Sequence, residues 1–158
     1  MGRKLSIILL LSLVFASCSV TRSNLPYYDQ EPQLIRVEHD GTYLIRSVGG
    51  GPNRVAALNE AKKNAVYEVL FDGISSNSST MTPVKPVVLE VNAKEKYQDY
   101  FNAFFSDGGD YLKYVSQRGK RAGSRRLTKN RSQVMCHTDV LVDVPALKAR
   151  LKADNILK

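Results

Sequence analysis

Tryptophan is absent from this 158-residue chain, and histidine and cysteine occur only twice each. Acidic residues are also scarce, 15 against 23 Lys and Arg, which gives a net charge of +8. Each scarcity excludes something. Apart from Cys18, the only His and Cys residues are His39, Cys136 and His137. Neighbours on a strand point to opposite faces, so Cys136 and His137 cannot readily hold one ion, and no metal or other cofactor is expected. Cys136 reads as a small buried apolar residue and His39 as exposed. Nucleophilic catalysis needs a base set against Ser or Cys, but no G-x-S-x-G or equivalent occurs. Asp139 and Asp143 lie on a strand face where carboxylates are ordinary. An enzyme is not expected.

Long apolar runs are missing too, with one exception. "MGRKLSIILLLSLVFASCSV" has a short basic start at Arg3 and Lys4, an apolar run from Leu5 to Phe15, and small residues before Cys18. This is the pattern of a secretory signal peptide, and the run falls short of the ~20 residues that span a bilayer. "FASC" resembles the lipobox of bacterial lipoproteins, with Phe15 where Leu is usual. The resemblance implies cleavage before Cys18, acylation of its thiol and attachment to a membrane, with Ser19 directing it to the outer membrane. At ~0.8 kcal/mol per buried methylene, more than one acyl chain gives a firm anchor. Lipid on Cys18 would leave Cys136 alone, so stability must come from a packed core.

Loss of Arg3 and Lys4 with the leader leaves 21 basic against 15 acidic residues, a net of +6. A basic balance often signals nucleic acid. An exported protein rarely meets any, so no nucleic-acid partner is expected. Anionic lipid, lipopolysaccharide, a cell-wall polymer or an envelope protein fits better. The chain divides into a lipoprotein signal peptide (1–17), a flexible tether (18–32) and a single α+β domain (33–158).

Within that domain, "QLIRVEHDGTYLIRSVGGG" reads as a hairpin turning at Asp40-Gly41, a dipeptide suited to a type I′ turn. Its second strand is expected to carry Tyr43, Ile45 and Ser47 on one face, Leu44, Arg46 and Val48 on the other, and to end at the glycines. These glycines invite comparison with a dinucleotide loop. Gly49 and Gly51 match, but Arg54 takes the place of the third glycine and Pro52 removes an N–H donor. They are expected to turn the chain and let helix and strand pack.

A helix is predicted from about Asn53 to Phe71, with Leu58, Ala61, Ala65 and Val69 recurring on one face, flanked by Val55, Val66 and Leu70, and Gly73 as its stop. Lys62, Lys63 and Glu68 are assigned to the wet side. "SSNSSTMTPVKP" reads as a loop and "VVLEV" as a strand. "NAKEKYQDYFNAFF" returns to helical spacing. Its face of Tyr97, Tyr100, Phe101, Phe104 and Phe105 is assigned to core packing, with a ligand platform as the alternative. "YLKYVSQ" alternates like a strand. So does "SQVMCHTDVLVDV", with Val134, Cys136, Thr138, Val140, Val142 and Val144 inward and a wetter face of Met135, His137, Asp139, Leu141 and Asp143. Pro145 opens a closing helix carrying Leu147 and Leu151. The fold class is α+β: a two-layer sandwich, mainly antiparallel, with two or three helices on the sheet.

"RGKRAGSRRLTKNR" holds Arg118, Lys120, Arg121, Arg125, Arg126, Lys129 and Arg131 without an acidic residue. It reads as a long mobile hairpin loop, and is the candidate contact for an anionic surface or a partner. "AALNEAKKNAVYEVLF" after a short strand, with "CHTDVLVDVPALKARLKADNIL" near the end, resembles the small α/β domain of surface lipoproteins related to the N-terminal domain of flagellar assembly protein T. That resemblance implies an envelope-anchored assembly or scaffold module without catalytic residues. The expected role is an interaction module, with an outer-membrane component of a secretion or motility machine as its sharper form. The alternative is a binding protein for cell-wall glycan or anionic lipid.

Overall fold

A computed structural model describes residues 31–76, 83–119, 125–129 and 133–157. Residues 1–30, with the expected leader, Cys18 and most of the expected tether, lie outside it.

Two strands, β1 (Gln33–Val37) and β2 (Tyr43–Gly51), form the expected antiparallel hairpin. Its turn differs from type I′, which needs two positive φ angles. Only Gly41 has one, at 83°. The Gly41 amide donates to the Glu38 carbonyl at 3.1 Å and the Glu38 amide to the Thr42 carbonyl at 2.8 Å, a three-residue loop with a bulge at glycine. The Thr42 amide also donates to Asp40 Oδ1 at 2.9 Å, which fixes the corner.

β2 does not stop at the glycines; it runs through all three. Its partner is β6 (Val134–Val142), antiparallel along nine pairs from Tyr43–Val142 to Gly51–Val134. Ile45, Ser47, Gly49 and Gly51 therefore face the same side as Val140, Thr138, Cys136 and Val134. Helix α1 (Arg54–Tyr67) lies on that side, capped by Asn53, whose Oδ1 accepts from the Val55 and Ala56 amides. A Cβ on Gly49 would run into the Ala61 amide and the Ala57 carbonyl, and one on Gly51 would stand 2.8 Å from Ala56 Cβ. The glycines thus give a helix of small residues room to rest on the strand backbone. Ser47 Oγ donates to the Ala61 carbonyl at 2.7 Å, and Asn64 Nδ2 donates to the Val48 carbonyl at 2.8 Å. The opening Val55 is 69% exposed rather than packed beside the stripe.

The helix widens into a π-helical turn over Glu68–Asp72 and ends where the Gly73 amide donates to the Glu68 carbonyl. The expected Ser-rich loop begins instead with β3 (Ser75–Ser76), parallel to β1, and Ile74 bridges to Val84. "VVLEV" is not a strand. The Val87 and Val88 amides donate to the Val69 and Leu70 carbonyls of the π turn, so this stretch satisfies a helix end rather than a sheet. The next helix is split into α2 (Ala93–Lys96) and α3 (Gln98–Phe104) at Tyr97, whose φ of −114° and ψ of 33° interrupt it. Phe101, Phe104 and Phe105 are buried in the main core, as expected.

Much of "YLKYVSQ" is a 3₁₀ turn, Asp110–Tyr114, leaving β4 as Val115–Gln117 only. The basic stretch is not wholly a loop: β5 (Arg125–Lys129) pairs antiparallel with β6. β4 and β5 occupy the same edge of β6, one after the other. Helix α4 (Val144–Ala153) closes the fold; Asp143 Oδ1 accepts from the Ala146 amide, and Leu147 and Leu151 are fully buried. The architecture is α+β, with sheet order β3-β1-β2-β6-β4, antiparallel except for β1–β3, and four α-helices among the described residues.

The sheet face away from α1 is less wet than its alternating sequence suggests. Leu44, Val48 and Met135 are buried, and Leu141 and His137 half-buried. Register explains much of this. Leu44 stands opposite Leu141, and Met135 opposite Gly50, where its sulfur lies 2.9 Å from the place a Cβ would occupy.

Candidate functional site

The residues weighed for catalysis have structural partners. Asp139 accepts from Arg46 Nε at 3.0 Å across the β2–β6 ladder, and Asp143 caps α4. Cys136 is fully buried on the α1 face, His137 lies half-buried on the opposite face, and His39 is exposed at the hairpin turn. Among the described residues, no group of three His, Cys, Asp or Glu is placed to hold a metal ion.

The candidate anionic contact is divided by the fold. Arg118 is exposed just after β4, where its amide donates to the Asp139 carbonyl at 3.1 Å. Arg125, Arg126 and Lys129 belong to β5, paired with Thr138, His137 and Val134. Lys120, Arg121 and Arg131 lie outside the described residues. Among the described strands, β5 has β6 on one side and none on the other. Its outer edge therefore offers backbone donors and acceptors within a basic sequence.

A second concavity is aromatic. A groove of about 720 Å³ runs between the C-terminal half of α1 and the α2–α3 pair. Tyr67 and Phe71 line one wall, and Phe101 and Phe105 the other, with Phe71 and Phe101 edge to face at 4.8 Å. The Lys94 ammonium lies 4.5 Å from the Tyr67 ring centre and 4.9 Å from that of Phe71, and pairs with Asp72 at 3.4 Å. Gln98 and Asn102 add amides at its rim. The sequence pointed to the aromatic stripe of α3 but not to this partner wall. Tyr67 and Phe71, four apart at a helix end, were the available signal.

The third feature is an acidic corner behind that groove. Glu31, Glu68 and Asp72 line a cavity of about 410 Å³ with Pro32, Gly73 and Pro83. Burial pushes the Glu68 carboxyl up to about 6, the negative charges of Asp72 and Glu31 push the same way, and Lys94 opposes them. Glu68 is half-buried rather than on the wet side.

No family model, curated protein or solved structure matches the chain.

Proposed function

We propose that this protein is a non-enzymatic lipoprotein of a bacterial envelope, anchored through acylated Cys18 and acting as an interaction or assembly module. Its sharper form is an outer-membrane component of a secretion or motility machine. The observation that carries an interaction role is β5, outermost among the described strands and basic in sequence. Strand addition supplies main-chain hydrogen bonds, and the basic sequence selects an acidic partner while discouraging a second copy. The membrane half of the reading rests on "FASC" and the apolar run before it.

Purification from detergent-solubilised envelopes, with intact-mass analysis, tests both halves. The expected result is an acylated amino terminus and a co-purifying envelope protein. An unmodified terminus sinks the anchor; a strictly lone monomer sinks the assembly role.

A second reading, a binding protein for cell-wall glycan or anionic lipid, is favoured by the aromatic groove, where the half-buried Tyr67 and Phe71 rings and the exposed amides of Gln98 and Asn102 suit a sugar face. Retention of the mature chain on purified cell wall, lost on Phe71→Ala, would support it.

A further inference from the structure

Two aliphatic side chains in the stretch after Val88 project into solvent. Leu89 is 71% exposed and Val91 83%. Large apolar side chains this exposed are usually solitary, but these are two residues apart on a well-held stretch. The preceding amides of Val87 and Val88 are bonded to the π turn. Glu90 between them pairs with Lys96 at 2.6 Å, and the Ala93 amide donates to the Glu90 carbonyl at 3.3 Å.

Their place in the fold gives the display a direction. The tether enters at Glu31 and Pro32, which line the acidic corner with Asp72 and Pro83. Asp72 in turn pairs with Lys94, in the helix that follows Val91. Entry point and apolar tip therefore share one end of the molecule. The described chain starts 13 residues after Cys18, a reach of at most about 45 Å. A lipid on Cys18 would keep this end within that reach of the bilayer.

We infer that Leu89 and Val91 form a bilayer contact, inserting at the headgroup–acyl boundary when the tether brings the domain to the membrane. This rests on the lipid-anchor reading and adds an orientation to it. Two aliphatic side chains alone would hold a protein only fleetingly, but a short tether makes their binding intramolecular and raises their effective concentration. Beside them Lys94 pairs with Asp72 and Lys96 with Glu90, so neither lysine offers an unmatched charge. The contact is therefore apolar, and zwitterionic lipid suffices.

The absence of tryptophan makes a direct test available. The mature chain would carry an N-terminal hexahistidine in place of Cys18 and be held on vesicles containing a nickel-chelating lipid. This supplies the tether whether or not cells acylate Cys18. Leu89→Trp introduces the sole indole at the tip. Val55→Trp is the control, since Val55 is 69% exposed at the opposite end of α1. With phosphatidylcholine vesicles, emission from the Leu89→Trp protein should shift to the blue and be quenched by brominated acyl chains. Emission from the Val55→Trp protein should do neither. Leu89→Trp emission unchanged on tethered vesicles overturns the contact. A shift appearing only with phosphatidylglycerol overturns it too, because charge would then be the cause. Intact mass of the native protein decides the acyl anchor separately.

Discussion

The phenol of Tyr100 donates to Asp154 Oδ2 at 2.7 Å, joining α3 to the end of α4 across 54 residues of sequence. The same oxygen accepts from Arg150 Nε at 2.7 Å, and Arg150 also reaches Asp110 at 3.7 Å. Burial and the Asp154 bond push the Tyr100 phenol up to about 12. Tyr100→Phe should cost about 1 kcal/mol in denaturant unfolding, the usual worth of one such bond. A raised phenol favours the fold below the unfolded value near 10, and that contribution fades as pH climbs through about 12. The penalty of the Phe variant should therefore shrink in strong alkali.

Glu68 behaves in the opposite sense to most surface carboxylates. Its folded value of about 6 exceeds the ordinary 4.5, so its favourable contribution is complete below 4.5 and is lost as pH rises through 6. Glu68→Gln should stabilise the protein at pH 8, on the order of 1 kcal/mol after allowance for solvent screening. At pH 4 the two proteins should unfold together. Thermal melts at the two pH values check this, and an equal gain at both would refute it.

Gly49 and Gly50 are neighbours with different obstacles. Beneath Gly49 lies helix backbone, which cannot step aside; above Gly50 lies the flexible end of Met135. Gly49→Ala should cost ~3 kcal/mol or more, whereas Gly50→Ala should cost under ~1.5 kcal/mol. Comparable losses in chemical denaturation would mean that α1 does not rest on β2 as described.

Cys136 is fully buried beneath α1. In the folded protein it should resist a thiol reagent and react at the rate of global or local opening. Labelling followed by mass spectrometry, with and without denaturant, measures this.

The basic stretch makes its own prediction. Replacing Arg121, Arg125 and Arg126 by Glu should abolish salt-sensitive binding of the isolated domain to anionic envelope material. Unchanged binding by that variant would remove the stretch from consideration.

Periodicity was a good guide wherever one face alone is buried. The Ala61–Ala65 pair of α1 and the Leu147–Leu151 pair of α4 were legible for that reason. It failed where backbone groups found partners outside the usual ladders. Val87 and Val88 look like a strand, yet their amides serve a helix end. Tyr111 is buried on a 3₁₀ turn whose apolar spacing imitates alternation. Arg125 to Lys129 carry too much charge to announce a strand, and are one because β6 extends past β4 and leaves an edge to cover. The aromatic groove was half visible, since its two walls lie about thirty residues apart and only tertiary packing brings them together.

The shared edge of β6 has one further consequence. Gln117 faces Val140 and Arg125 faces Thr138, so seven residues intervene on one side where the partner strand spends one. Chain length between those points is decoupled from the register on either flank. A peptide grafted between Gly119 and Arg125 should leave every described ladder pair in place, which separates the demands of the sheet from those of the basic contact.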